Sequence, residues 1–228
     1  MAMRVEGTAV SPRESRPRPG VGPGTSLVCH VPVPLCLHTP PSATVTAKPP
    51  SVGTCRMNEL VLPNDTNTLG NLMGGRLLHF MDVCAAIAAQ RHSNRTVVTA
   101  SVDSVDFRAA VRLGEVVVLE AAVTRAFTTS MEVGIEVWAE DNATGERRHC
   151  NRAFYTFVAV DQSGRPIPVP PLAPETDEEQ ARYDAAARRR ELRLVLAGRL
   201  RLDEADDLRE HLNALPLDPP ESEREPGG

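Results

Sequence analysis

The sequence predicts an α+β domain in which one long apolar helix lies against one antiparallel sheet. Three observations carry that expectation. Between Leu77 and Ala89 nearly every residue is apolar or small, so a helix running from about Gly75 is buried on most sides. Four stretches with strand signals follow it: Val97 to Phe107, Val116 to Val123, Ser130 to Glu140 and Cys150 to Val160. The links between them are short, which suits antiparallel neighbours.

Taken in order, residues 1–56 hold half of the 20 prolines and little periodicity. They read as a disordered leader or a start-site artefact, in preference to a targeting segment. Asn58 to Leu62 reads as a short first strand. Pro63, Asn64, Asp65, Asn67 and Gly70 then supply turn chemistry ahead of the helix, which ends near Ser93-Asn94. Within Val97–Phe107 the apolar phase slips: Val98, Ala100 and Val102 keep one phase, Val105 and Phe107 the other. That predicts a bulge near Asp103 or Ser104. Arg112-Leu113-Gly114-Glu115 is a turn, and Val116–Val123 is apolar enough to be buried on both faces. In Ser130–Glu140, Met131, Val133, Ile135, Val137 and Ala139 face one way and Glu132, Glu136 and Glu140 the other. Asp141 to Gly145 is a hairpin loop. Residues 57–172 thus form the core domain and residues 173–228 a charged helical extension. Glu175 to Leu200 favours helix, Gly198 interrupts it, and Asp203 to Leu212 is a shorter helix. Residues from Pro216 onward are expected to fray. With 15 of the 30 acidic residues between 175 and 228, the extension reads as solvated.

Composition narrows the function. Aromatics are only 4%, so Val, Leu and Ala must build the core. A net charge of -5 argues against nucleic acid as the main partner, and no apolar run is long enough to span a bilayer. The five cysteines are scattered without a CxxC pair, as expected of reduced thiols inside a cell. Cys29-His30 and Cys36-His38 lack finger spacing and are not read as a metal site. No Gly-x-Ser-x-Gly, P-loop or dinucleotide fingerprint appears.

Asp82 demands an explanation, because a carboxylate inside a buried helix is costly unless paired or used. It is either a general base, a nucleophile, or a structural acid paired across an interface. Gly70-Asn71-Leu72-Met73-Gly74-Gly75 leads into the helix N-terminus, where backbone N–H groups attract negative charge. The glycines either let a substrate carbonyl approach or only permit tight packing. Asp82 lies roughly 10 Å along the helix from Gly75, so the two need a spanning substrate or a second subunit. Arg91-His92 compensates the helix dipole or meets a phosphate. Arg188-Arg189-Arg190 and Arg193 form a cationic patch, either a solvated face or an anion handle.

From about Met57 to Arg193 the chain resembles the hotdog acyl-CoA thioesterases, the group of brain-type and cytosolic acyl-CoA hydrolases and YciA-like enzymes. The motifs that carry the resemblance are Pro63 to Asn67, Gly70 to Gly75, Met81-Asp82, Val98 to Asp103 with Asp106-Phe107, Val123 to Glu132, and Ala153 to Val160. It implies a sheet wrapped around one central helix and hydrolysis of an acyl-CoA to CoA and a carboxylic acid. By position, Asn71 and Asp82 carry catalysis across a dimer interface. Many bacterial relatives have Asp at the position of Asn71, which shifts the base to Asp82 and leaves Asn71 to orient water or the carbonyl. Gly74 and Gly75 would polarise the carbonyl. CoA contacts would fall on Ala100, Ser101 and Val102, on Thr129, Ser130 and Met131, and on Arg189 and Arg190. The resemblance further implies no cofactor beyond the CoA of the substrate, a cytoplasmic location, and a homo-hexamer built as a trimer of dimers. Two rivals remain: a dehydratase using His79, one turn inside the helix, and a non-catalytic acyl-CoA-binding or regulatory protein.

Overall fold

The computed structural model describes residues 46–103 and 105–214. The expectations for residues 1–45, for Ser104 and for the stretch from Pro216 lie outside them. The described structure already holds regular elements before residue 57. Lys48 N donates to the Pro171 carbonyl, and a 3-10 turn at Pro50–Gly53 leads into β1, Thr54–Leu60. Cys55 is buried in that strand, so the alternation that marks it starts inside the proline-rich segment.

The helix α1, Gly74–Ser93, follows one 3-10 turn and an irregular loop. Its buried positions Leu77, Phe80, Met81, Cys84, Ala85, Ala88 and Ala89 recur at helical spacing. Alanines at the middle of that face let the helix lie close to the sheet. Asn94 ends it in the left-handed conformation, its N–H donating to the Gln90 carbonyl. Then come β2, Thr96–Val102; β3, Val116–Ala126; β4, Ser130–Glu140; and β5, Arg147–Val160.

The five strands form one antiparallel sheet in the order β1-β3-β4-β5-β2. The two strands that flank α1 in sequence are therefore the two edges, and the helix crosses between them over one face. That face is lined by Val117, Leu119, Ala121, Val123, Met131, Val133, Ile135, Val137, Ala153, Tyr155, Phe157 and Ala159. This is the α+β hotdog arrangement that the pattern predicts.

The bulge is displaced from its expected position. Pairing of β2 with β5 slips between Thr99 and Ser101, not at Asp103. Val97 and Thr99 face inward opposite Ala159 and Phe157, and Val102 faces inward opposite Tyr155. Val98 faces out and is 47% exposed. The extra residue, Ala100, reverses the phase, so the slip falls before the point where the apolar alternation places it.

The extension holds α2, Asp177–Leu196, and α3, Asp206–Ala214. Thr176 caps α2 by accepting from Glu179 N. Gly198, at φ +65°, breaks the run as expected. The extension is less solvated than its acid content suggests, because Ala186, Ala187 and Leu208 are buried. Glu132 points to the outer face as predicted, yet it is fully buried. Arg189 and Arg193 of α2 hold its carboxylate at 2.6 and 3.2 Å.

Candidate active site

The loop ahead of α1 is held by an acid that alternation does not reveal. Asp65 is 4% exposed and pairs with Arg76 at 2.8 Å. Its carbonyl accepts the N–H of Met73, the residue before the helix, and its carboxylate accepts Leu62 N. Asn67 Oδ1 accepts the N–H groups of Leu69 and Asn71. Gly70 supplies the φ of +72° that the turn requires. The loop is thereby fixed on both sides of the helix start.

That start is uncapped. Met73 gives no side-chain cap, and its carbonyl accepts from Arg76 and Leu77. Among the described residues nothing accepts from the N–H of Gly74 or Gly75. A Cβ on Gly75 would meet nothing within 4 Å, whereas one on Gly74 would touch the Phe107 ring at 3.4 Å. Gly74 is thus explained by packing, and Gly75 is left open to a ligand. Two N–H groups without an acceptor among the described residues, at the positive end of a 20-residue helix, suit an anionic oxygen in chemistry.

Asp82 sits half-buried two turns further on. Its Oδ1 accepts a hydrogen bond from Thr99 Oγ1 at 2.7 Å. Thr99 reaches it only because it precedes the slip in β2 and faces inward. Tyr155, 1% exposed, lies below, its hydroxyl donating to the Leu78 carbonyl at 3.5 Å. Burial and the Asp82 charge push that phenol up to about 12. No Arg, Lys or His pairs with Asp82 among the described residues, so a structural ion pair within the protomer does not account for it. Cys84, two residues on and fully buried, is no nucleophile: burial raises its thiol to about 12.

The other predicted residues divide. Asn71 is half-buried and bridges Arg112 through its backbone; it shares no hydrogen bond with Asp82 within the protomer. Ala100, Ser101 and Val102 are exposed on the edge strand. Thr129 and Ser130 lie at the β3–β4 turn, but the Met131 side chain is fully buried in the core and offers a ligand only backbone. Arg189 is not free for CoA. It holds Glu132 and stacks 3.6 Å over the Phe154 ring. Arg190 is differently placed, over the Phe127 ring at 4.2 Å with Nη1 3.4 Å from Ser130 Oγ. Burial and the neighbouring Arg193, Arg199 and Arg125 hold its guanidinium below the usual range. Arg91 donates to the Thr54 carbonyl and the His92 ring lies 2.8 Å from the Pro170 carbonyl, so both tie the end of α1 to neighbouring segments. His79 is exposed on α1 and makes no hydrogen bond among the described residues. The sequence pattern assigns Thr99 no role of its own and Asn67 only turn chemistry, since neither breaks a pattern. No group of three His, Cys, Asp or Glu residues suited to a metal occurs among the described residues.

Residues 69–146 match the family model described as the thioesterase superfamily. The chain is 46% identical over 129 residues to YkhA of Bacillus subtilis, described as an uncharacterized acyl-CoA thioester hydrolase; this covers 57% of the chain and 75% of that protein. Mouse acetyl-coenzyme A thioesterase is 37% identical over 142 residues, which are 62% of this chain and 26% of the longer mouse protein. A hexameric acyl-CoA thioesterase superposes with a TM-score of 0.65 at 43% identity, covering 67% of this chain and 98% of that one. The acyl-CoA hydrolase of Staphylococcus aureus, solved with butyryl-CoA, CoA and CoA disulfide, gives 0.62 at 36% identity over 73% and 99%. Variants of that hydrolase replace an asparagine, an aspartate and a threonine by alanine, at positions 15 and then 17 residues apart.

Proposed function

The chain belongs to the thioesterase superfamily, and on that ground we infer that it hydrolyses acyl-CoA thioesters to CoA and a carboxylic acid. The Thr99–Asp82 hydrogen bond carries the assignment of roles. Asp82 is the general base: it takes a proton from water as the water oxygen attacks the thioester carbonyl carbon. The carbonyl oxygen becomes an oxyanion held by the N–H of Gly75, with Gly74 beside it. Collapse breaks the C–S bond, the electron pair leaves with sulfur, and the proton on Asp82 goes to the departing thiolate. Thr99 fixes the carboxylate in the rotamer that faces water. The spacing of the three altered positions in the Staphylococcus enzyme equals that of Asn67, Asp82 and Thr99 here, which supports this trio. Asn67 spends its Oδ1 on the loop, leaving Nδ2 for substrate, with Asn71 beside it as a second amide.

Asp82 and the Gly75 of one protomer lie about 10 Å apart along the helix, so the complete site is composite. We place the partner's helix N-terminus opposite Asp82, with the open edge of β2 as the junction. Val98 and Val102, 47% and 43% exposed on that edge, favour its being covered. The hexameric acyl-CoA thioesterase that superposes on the chain supports a hexamer, which we read as a trimer of such dimers. CoA would run past Ala100–Val102 towards Ser130, with Arg190 rather than Arg189 facing its phosphates. The free buried thiols Cys55, Cys84 and Cys150 suit a reducing cytoplasm, and no helix among the described residues is long and apolar enough to cross a membrane.

The test is incubation of purified protein with saturated acyl-CoAs of graded length, following free thiol. Thiol release that peaks at one length is the expected outcome. Binding without thiol release would make this a sensor, and loss of water from a 3-hydroxyacyl-CoA, giving an unsaturated product, a dehydratase.

A further inference from the structure

The outer face of the sheet carries a charge network that hydrolysis does not use. Arg193 of α2 donates to Asp103 at 2.7 Å and to the buried Glu132 at 3.2 Å. Asp103 directly follows Val102, the last residue of β2, and its N–H donates to the Phe154 carbonyl at 3.0 Å. Glu132 is on β4, and in the sheet β5 lies between β4 and β2. One guanidinium therefore ties the edge strand to the interior of the sheet, across the strand that separates them. A planar fork of donors can hold two carboxylates in fixed directions, as an ammonium cannot.

The strand so tied needs it. Within the protomer β2 is paired on one side only, and its pairing slips just after Thr99. A slip is a hinge in a strand, and Thr99 stands at its near side while holding Asp82. Asp103 stands at its far side, about 13 Å from Thr99 along extended chain. Between the slip and the end of the strand only Ser101 and Val102 pair with β5.

We propose that Arg193 is a positioning residue for the reaction: by gripping Asp103 it fixes the end of β2, so that Thr99 keeps its hold on Asp82. This rests on the roles given above to Asp82 and Thr99. Arg193 touches neither of them and acts through the strand alone.

The experiment uses the full chain and the acyl-CoA it turns over fastest. Arg193→Ala is expected to lower kcat about tenfold with KM changed less than about twofold, well inside what an ångström of misplacement costs. Asp103→Asn, which leaves α2 bound to Glu132, should reproduce the loss, and Arg193→Lys should recover only part of it. Arg182→Ala, which breaks an exposed pair with Glu178 on the same helix, should leave kcat unchanged. In a Thr99→Ala background Arg193→Ala should cost less than about twofold more, because the contact it protects is already gone. If the two losses multiply, or if Asp103→Asn keeps full kcat while Thr99→Ala loses it, Arg193 only attaches its helix and the inference fails. Wild-type turnover in Thr99→Ala would instead overturn the reading of the site beneath it.

Discussion

Replacing Glu132 by Gln tests how α2 is held. The side chain keeps its shape and loses its charge. In the folded protein that carboxylate is fully buried and accepts from Thr124 Oγ1 at 2.8 Å, Arg189 at 2.6 Å and Arg193 at 3.2 Å. Removal of one partner of a buried pair costs about 3–5 kcal/mol, because the remaining charge has been taken from water without compensation. Two features pull the cost to the low end. The two arginine side chains retain 25% and 23% exposure, and Asp103 still faces Arg193. The expected loss is about 3 kcal/mol, or on the order of 6–12 °C in Tm for a chain of this size. Thermal and urea unfolding at fixed protein concentration measure it. Replacing Glu132, Arg189 and Arg193 together by Met should return most of that stability, since a buried ion cluster is worth little more than good apolar packing. A loss below about 1 kcal/mol in Glu132→Gln would show that water reaches the cluster and that α2 is held by its apolar face alone.

Two further outcomes follow from the same physics. Burial, aided by Lys48, holds the His92 ring below its usual 6.5, against the pull of the Pro170 carbonyl. Its folded pKa lies under its unfolded one, so its contribution is complete above 6.5 and is lost as pH falls towards the folded value. The urea midpoint should drop between neutral pH and about pH 5.5, and His92→Gln should flatten that slope. Gly75→Ala should be stabilised by about 0.5 kcal/mol, since open space surrounds the new methyl and the unfolded chain loses freedom. The same variant should raise KM or lower kcat about tenfold by blocking carbonyl approach, and unchanged kinetics would remove Gly75 from the site.

The inner layer was legible in the sequence wherever alternation ran unbroken. Met131 to Ala139 and the α1 stripe obey the pattern because a single face decides both. β2 was misread because one inserted residue, Ala100, exchanges the faces beyond it, and apolar Val98 occurs on the outer side. Glu132 shows a different limit: periodicity tells which face a residue takes, but what covers that face is settled by a helix more than 40 residues away in sequence. Asp82 was visible because a charge inside a greasy helix is conspicuous. Thr99 was not, since a threonine in a strand is ordinary and only contact with the carboxylate gives it a role. The first strand was placed late because prolines lie close before its start at Thr54.

The most direct measurement is thiol release by Asp82→Ala and Asp82→Asn beside the wild-type chain, with assembly followed by light scattering in the same samples. Loss of the base should lower kcat at least ~100-fold while fold and assembly stay intact. Turnover near the wild-type rate in an assembled Asp82→Ala protein would mean that another group activates the water.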